Sequence, residues 1–481
     1  MLYQLASLLS LERFDAAWRT AAHDSVCGRI FAIPKKIADK VTSGSAAQFG
    51  TLLQRLGFCV TVVLLTSLVL PQFANDKEGL ALISLGGFAL WLAGYLLNGR
   101  ETRKTSFIDF IVLAFFAVNI VATAASHYLG PSVRGLAKES IYIATYFFLT
   151  AVLRNSPQRK GIIVATVLIA ASAVSLHGLY QYKIGVEPLA TWEDPTVETQ
   201  GTRIFSTLGN PNLLAGYLVP LVPLAISVGL SQVFAARWLR AVIPFAVAGL
   251  IATATVLTGS RGGYIGLFVG GAAIASVAAA RFLQERPKAR PAILAACVLL
   301  PIVVAVGLHF VPSFEQRLTS IFAFREHSSN AFRMFVWESS FRMFKDNWWI
   351  GIGPGNKAFV LAYGLYMRSG FDALGTYCVP LEIAVETGII GLLIFAVLLI
   401  SLFGRAHLSF WAASESTDSS GNGNARLERW LAAGAAAGIM ALMAHGLVDT
   451  VFFRPQVHFL FWLLVALIVT SPSDKTDHSF E

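Results

Sequence analysis

Apolar stretches of about 20 residues recur along this chain, and that length is the strongest constraint on how it folds. In hydrocarbon a backbone must satisfy its own amides, so a spanning segment is a helix or a strand of a closed barrel. Barrel strands alternate apolar and polar residues, and these stretches do not, so they read as helices. With 55% hydrophobic and only 14% charged residues over 481 positions, the chain lacks the charged surface a soluble protein of that length needs. The expected fold class is therefore all-α, a polytopic membrane helical bundle whose first partner is the lipid bilayer.

About twelve spans are expected. They are Phe58–Ala74, Gly79–Leu97, Phe107–Ser126, Ile141–Leu153, Gly161–Tyr180, Leu213–Leu230, Leu239–Thr258, Gly263–Ala280, Ala292–Val311, Ile383–Phe403, Trp430–Val448 and Val457–Thr470. Short loops on one side carry Arg100, Arg103 and Lys104, then Arg154, Arg159 and Lys160, then Arg237 and Arg240, then Arg281, Arg286, Lys288 and Arg290. That asymmetry places those loops and both termini in the cytoplasm. The organisation expected is a cytoplasmic segment 1–56, a bundle over 57–470 and a cytoplasmic tail 471–481. The net charge of +9 then reports orientation rather than a nucleic-acid partner. Cys27, Cys59, Cys297 and Cys378 have neither metal spacing nor a disulfide pattern. Neither a metal nor a cofactor is expected.

Two outward segments, 181–212 and 312–380, are too long to be plain connectors. In the second, Phe332, Phe335, Val336, Ser339 and Met343 recur at helical spacing, so a surface helix is predicted over Ala331–Phe344 with Asn330 as its cap. Trp348 and Trp349 follow as interfacial rings. Arg342, four residues after Glu338, is expected to pair locally. Gly262, Gly266 and Gly270, like Gly434 and Gly438, have the spacing that lets helices approach closely.

Arg203, Arg261, Arg333 and Arg454 all fall near the outer face. Guanidinium groups hold phosphate or carboxylate in bidentate fashion, so a cleft shared by Arg203, Arg261 and Arg333 under the long loop would suit an anionic head group. His445 and Asp449 stand four apart, the spacing of one helical face, as a general base and its orienting carboxylate would. A helix clamp is the other reading of that pair. Glu382 and Glu386, also four apart at the mouth of the tenth span, can share a proton or simply be hydrated. No P-loop, H-E-x-x-H or nucleophile elbow is present.

The segments Arg203-Ile-Phe-Ser-Thr-Leu-Gly-Asn-Pro-Asn212, Thr258-Gly-Ser-Arg-Gly-Gly263, Arg333 with Gly351-Ile-Gly-Pro-Gly355, and Leu381-Glu382 with Glu386-Thr-Gly388 occur in that order. In these pieces the sequence resembles the O-antigen ligase and polymerase superfamily of bacterial inner-membrane proteins. Tyr377-Cys-Val-Pro-Leu-Glu-Ile-Ala-Val-Glu-Thr-Gly388 and Ala444-His-Gly-Leu-Val-Asp-Thr450 are most similar to its IctB-like branch, associated with bicarbonate accumulation. The superfamily resemblance implies metal-independent transfer of a polyprenyl-pyrophosphate-linked glycan to a sugar hydroxyl of a glycan or lipid acceptor. It implies that Arg203 and Arg261 hold the pyrophosphate; Arg333, Arg454, Tyr377 and Glu382 are expected as further substrate contacts. The branch resemblance implies anion transport instead. Where the ligases carry a histidine as base followed by asparagine, this chain reads Tyr377-Cys378. An ordinary phenol, with a pKa near 10, cannot take that role at neutral pH. The base is then His445 or Glu386, or the branch does not transfer glycans.

Overall fold

The computed structural model describes residues 2–24, 44–73, 77–98, 105–154, 156–187, 202–289, 291, 328–412 and 423–472. The expected span Ala292–Val311, the acidic residues Glu193, Asp194 and Glu198, Cys27 and Cys297 lie outside them. Among the described residues the regular structure is helical throughout. Helices α1 (Leu2–Ser10) and α2 (Asp15–Asp24) precede α3 (Gly44–Ser67), α4 (Lys77–Asn98), α5 (Phe107–Ala124), α6 (Leu129–Leu153) and α7 (Pro157–Ile184). Then come α8 (Pro211–Leu218), α9 (Leu221–Val233), α10 (Trp238–Leu257), α11 (Arg261–Glu285), α12 (Ser328–Asp346) and α13 (Asn356–Tyr363). Last are α14 (Val379–Ala412), α15 (Gly423–Gly446) and α16 (Pro455–Val469).

Ten of the described segments are long and apolar enough to cross a membrane, with α8 and α9 counted as one. The expected all-α polytopic bundle is what the chain forms. Helix α16 has 15 residues, too few to cross about 30 Å of hydrocarbon upright. All of its residues are buried, so neighbouring helices rather than lipid surround it.

Several helices begin earlier than apolarity predicts. Helix α3 starts at Gly44, not Phe58, and so runs through the boundary expected at residue 56. A Cβ on Gly50 would lie 2.9 Å from the Gly94 carbonyl, and at that close crossing with α4 the Asn98 amide reaches Thr51 and Gln54, each at 3.4 Å. Helix α6 starts at Leu129 rather than Ile141, because its polar first half is satisfied by the protein. Ser132 donates to Ser126 at 2.9 Å, and the Lys138 ammonium donates to the Phe453 carbonyl at 2.8 Å. A run of polar residues ends an apolar window, but it does not end a helix whose polar side chains have partners.

Small residues set the packing between helices. A Cβ on Gly266 would come within 2.8 Å of the Ala441 carbonyl, and one on Gly270 within 2.7 Å of the Ala441 methyl, so α11 lies directly against α15. Gly438 faces the break between α8 and α9, where its Cβ would lie 2.7 Å from the Pro220 carbonyl. Pro220 and Pro223 explain that break, since neither can donate to the preceding turn.

The N-terminal helices pack on one end of the bundle. Arg405, near the end of α14, pairs with Glu12 at 3.0 Å and Asp15 at 3.6 Å. Asp15 also accepts from the Phe107 amide at 2.6 Å, and Ser106 and Asp109 form a capping box on α5. The residues singled out for chemistry gather at the other end.

Candidate functional site

Two tight turns build the centre of that end. Ahead of α8, the amides of Phe205 and Ser206 donate to Gln181 Oε1 at 3.2 and 2.7 Å, which fixes the backbone next to Arg203. Gly209 takes a left-handed φ of 71°, and Asn210 then caps α8 by accepting from Asn212 and Leu213 while Pro211 fills the first turn. Between α10 and α11, Gly259 is likewise left-handed at 64°, and Ser260 caps α11 by accepting from Gly263. These motifs are recipes for abrupt helix starts, and each leaves an arginine beside the turn.

The half-buried arginines meet through intermediaries. Arg203 Nε donates to the Thr258 carbonyl at 2.9 Å and Nη2 to Asn212 Oδ1 at 3.1 Å. Asn212 in turn donates to Asp449 Oδ2 at 2.9 Å, and the same oxygen lies 3.7 Å from Arg333 Nη2. Arg261 Nη1 donates to Asn330 Oδ1 at 2.5 Å, on the first turn of the helix that carries Arg333. Arg203, Asn212, Asp449 and Arg333 thus form one chain of polar contacts, and Arg261 borders it on both sides. Its own turn contains Thr258, and its partner Asn330 is three residues from Arg333. Arg454 is exposed at the start of α16 and contributes to the field around Tyr377.

Tyr377 borders the same network. Its φ is 54°, a conformation bulky residues seldom adopt, and its ring meets Phe332 edge-on with centroids 5.7 Å apart. Burial pushes the phenol above its ordinary value, the Asp449 charge adds to the shift, and Arg333 opposes it. It is a neutral hydrogen-bonding group at physiological pH and no base. Glu382 is buried rather than hydrated. Its Oε2 accepts from Thr450 Oγ1 at 2.6 Å and from the Thr376 amide at 3.2 Å, so it ties the Tyr377 turn to the Asp449 turn.

His445 and Glu386 stand differently from their expected pairing. Helix α15 ends at Gly446, so Asp449 lies in the following turn and not on a helical face shared with His445. The His445 ring is fully buried against Gly262, Gly266 and Gly216, and neither ring nitrogen has a hydrogen-bond partner among the described residues. Glu386 is also buried, and its Oε1 accepts from the Gly355 amide at 2.8 Å. It and Glu382 therefore answer to different donors. Sequence reasoning gave Asn212 and Thr450 no part in the site and took Asn330 for the cap of the surface helix, whereas α12 begins at Ser328 and Asn330 lies inside its first turn. All three lie in or beside quoted motifs, but an uncharged side chain between charges gives no signal of its own. Among the described residues no group of three His, Cys, Asp or Glu side chains is placed to hold a metal.

Fold and site together define a polytopic helical membrane protein with an arginine–carboxylate network at one end of its bundle. Residues 245–396 match the family model described as O-antigen ligase, which supports the resemblance to that superfamily. The match runs from within α10 into α14 and takes in Arg261, Arg333, Tyr377, Glu382 and Glu386, while Arg203, His445, Asp449 and Arg454 fall outside it. No curated protein matches the chain.

Proposed function

We propose that this protein is an O-antigen ligase- or polymerase-like glycan transferase of a bacterial inner membrane, with the arginine end facing outward and both termini in the cytoplasm. The observation that carries the reading is the network itself, in which Arg203 and Arg333 converge on Asp449 while Arg261 borders both. Fixed guanidinium groups at one spot are suited to a diphosphate, whose negative charge grows as it leaves. The donor is a polyprenyl-pyrophosphate-linked glycan. The acceptor hydroxyl attacks the anomeric carbon, a C–O bond forms there, and the bond to pyrophosphate breaks. The arginines neutralise the departing lipid pyrophosphate. The acceptor proton goes to a carboxylate, and Asp449 is the one the network presents. His445 supports the helix junction that holds Arg261, and Tyr377 and Glu382 shape the acceptor side. The resemblance to the IctB-like branch points to anion transport instead, and the same experiment separates the two.

The test is binding of purified protein to a polyprenyl pyrophosphate, beside the Arg203→Ala and Arg261→Ala variants. Charge-assisted hydrogen bonds of about 1.5–3 kcal/mol imply affinity losses of roughly 10- to 100-fold in each variant. Helical circular dichroism should be unchanged. No specific binding by the parent would overturn the reading, and labelled-bicarbonate uptake would then test transport.

A further inference from the structure

A second polar cluster lies away from the arginines, where α5, α6, α14 and α16 meet around a cavity of about 20 Å³. Asn119, Glu139, Glu386, His458 and Trp462 line it among phenylalanine rings. That volume holds about one water molecule. The Trp462 indole N–H and His458 Nε2 are both buried there without a hydrogen-bond partner. His458 Nε2 lies 3.9 Å from Glu139 Oε2, too far for a direct hydrogen bond.

The tautomer follows from the other ring nitrogen. His458 Nδ1 is 3.3 Å from the Phe452 carbonyl, which can only accept, so Nδ1 carries a proton. In the neutral ring Nε2 is then a bare acceptor that faces a carboxylate oxygen, itself an acceptor. Two acceptors do not face each other stably without a proton on one of them or a donor between them. The neighbouring polar groups have partners of their own. Lys138 donates to the Phe453 carbonyl, Asn119 donates to the Phe115 carbonyl at 2.9 Å, and the Tyr142 ring lies tilted against the His458 ring with centroids 4.1 Å apart. From α14, Glu382 is taken up by Thr450 and Thr376, while Glu386 holds Gly355 through Oε1.

We propose that this cavity is a proton-binding site in which a water links Glu139, His458 and Glu386, and the bound proton rests on the Glu139 carboxyl. The site is independent of the transferase reading. Its route to the arginine end runs through Glu386, whose carboxylate accepts from Gly355 in the turn that leads back to α12. Releasing the proton puts charge beside Glu386 and changes how firmly that turn is held.

The experiment is infrared spectroscopy of the full-length protein in proteoliposomes from about pH 5 to about pH 9, a range spanning the ordinary imidazole value. A protonated-carboxyl band that fades as pH rises, and is lost in Glu139→Gln, is the expected result. A His458→Gln variant, which keeps a polar group in the cavity, should shift the pH at which that band fades and serves if Glu139→Gln fails to fold. Amide exchange over 352–356, corrected for intrinsic rates, should change with the band in the parent and become pH-independent in Glu386→Gln. No fading band in the parent, or one that persists unshifted in both cavity variants, would overturn the proposal.

Discussion

The resemblance to the ligases implies that Tyr377 stands where they carry a basic histidine, and its surroundings decide what a tyrosine there can do. Burial, with the Asp449 charge added, holds its phenol above the ordinary value of 10. A pKa raised by folding stabilises the protein fully below the unfolded value, and that contribution is lost as pH rises through the folded one. Thermal stability should therefore fall above about pH 10, and Tyr377→Phe should make the fall shallower without removing it. Tyr363 and Tyr366, whose phenols burial also raises, contribute to the fall in the same way. Near neutrality the same variant should leave the pH profile of pyrophosphate-lipid binding unchanged, because the phenol carries no charge there to lose. A variant profile displaced by a full unit near pH 7 would show that Tyr377 titrates in the working range after all. At this scale the charged members of the site were legible as residues, since an arginine beside a glycine turn is conspicuous in an apolar chain. Their intermediaries Asn212 and Asn330 were not, because a bridging amide looks the same in a sequence whether it bridges or faces water.

At the scale of elements, the Gly351-Ile-Gly-Pro-Gly355 turn acts as a clip between two helices. The Ile352 and Gly353 amides donate to the carbonyls of Val385 and Glu386 at 2.9 and 3.0 Å. On the other side Ser126 donates to the Ile352 carbonyl, and the Gly355 backbone lies against Gly135 of α6. Helix α14 accommodates the clip by breaking at Gly388, whose φ of 70° and ψ of −171° only glycine adopts readily. Freed from the ladder there, the Ile389 amide donates to the Trp348 carbonyl at 2.8 Å. Gly388→Ala should cost about 1–3 kcal/mol in backbone strain alone, before its methyl meets the Trp349 carbonyl. Thermal unfolding should report that loss, with faster proteolysis in 328–378 as the clip loosens. Gly86, a helical position with open space around its Cα, is the control, and Gly86→Ala should be neutral or stabilising. Equal losses in both variants would mean that the clip has no special role. The motif's order was legible in the sequence, but its partners were not, because contacts across tens to hundreds of positions leave no local periodicity. The early start of α6 stayed hidden for a related reason, and Glu139 fell outside the fourth expected span with it.

Across the whole molecule the two ends of the bundle treat charge differently. At the arginine end Arg333 pairs with Asp449, Arg203 reaches the same carboxylate through Asn212, and Arg203, Arg261 and Arg333 remain half-buried. At the opposite end, where Arg240 and Arg286 are exposed, one ion pair is closed off. The Lys160 ammonium, 1% exposed, is bonded to Glu428 and donates to the Thr470 carbonyl at 2.8 Å, so the start of α7 is joined to α15 and to the end of α16. Removing one partner of a buried pair strands the other, at about 3–5 kcal/mol, whereas replacing both by apolar residues of similar size is often neutral. Glu428→Leu and Lys160→Met should each lower thermal stability strongly, while the two together should recover most of the loss. A double-mutant cycle of unfolding midpoints measures the coupling directly. Simple addition of the single losses would show that the two side chains act independently. Recovery in the double variant would assign the pair to closing the bundle rather than to chemistry. The arginine end should be unaffected in either case, so polyprenyl-pyrophosphate binding by the folded double variant should match the parent.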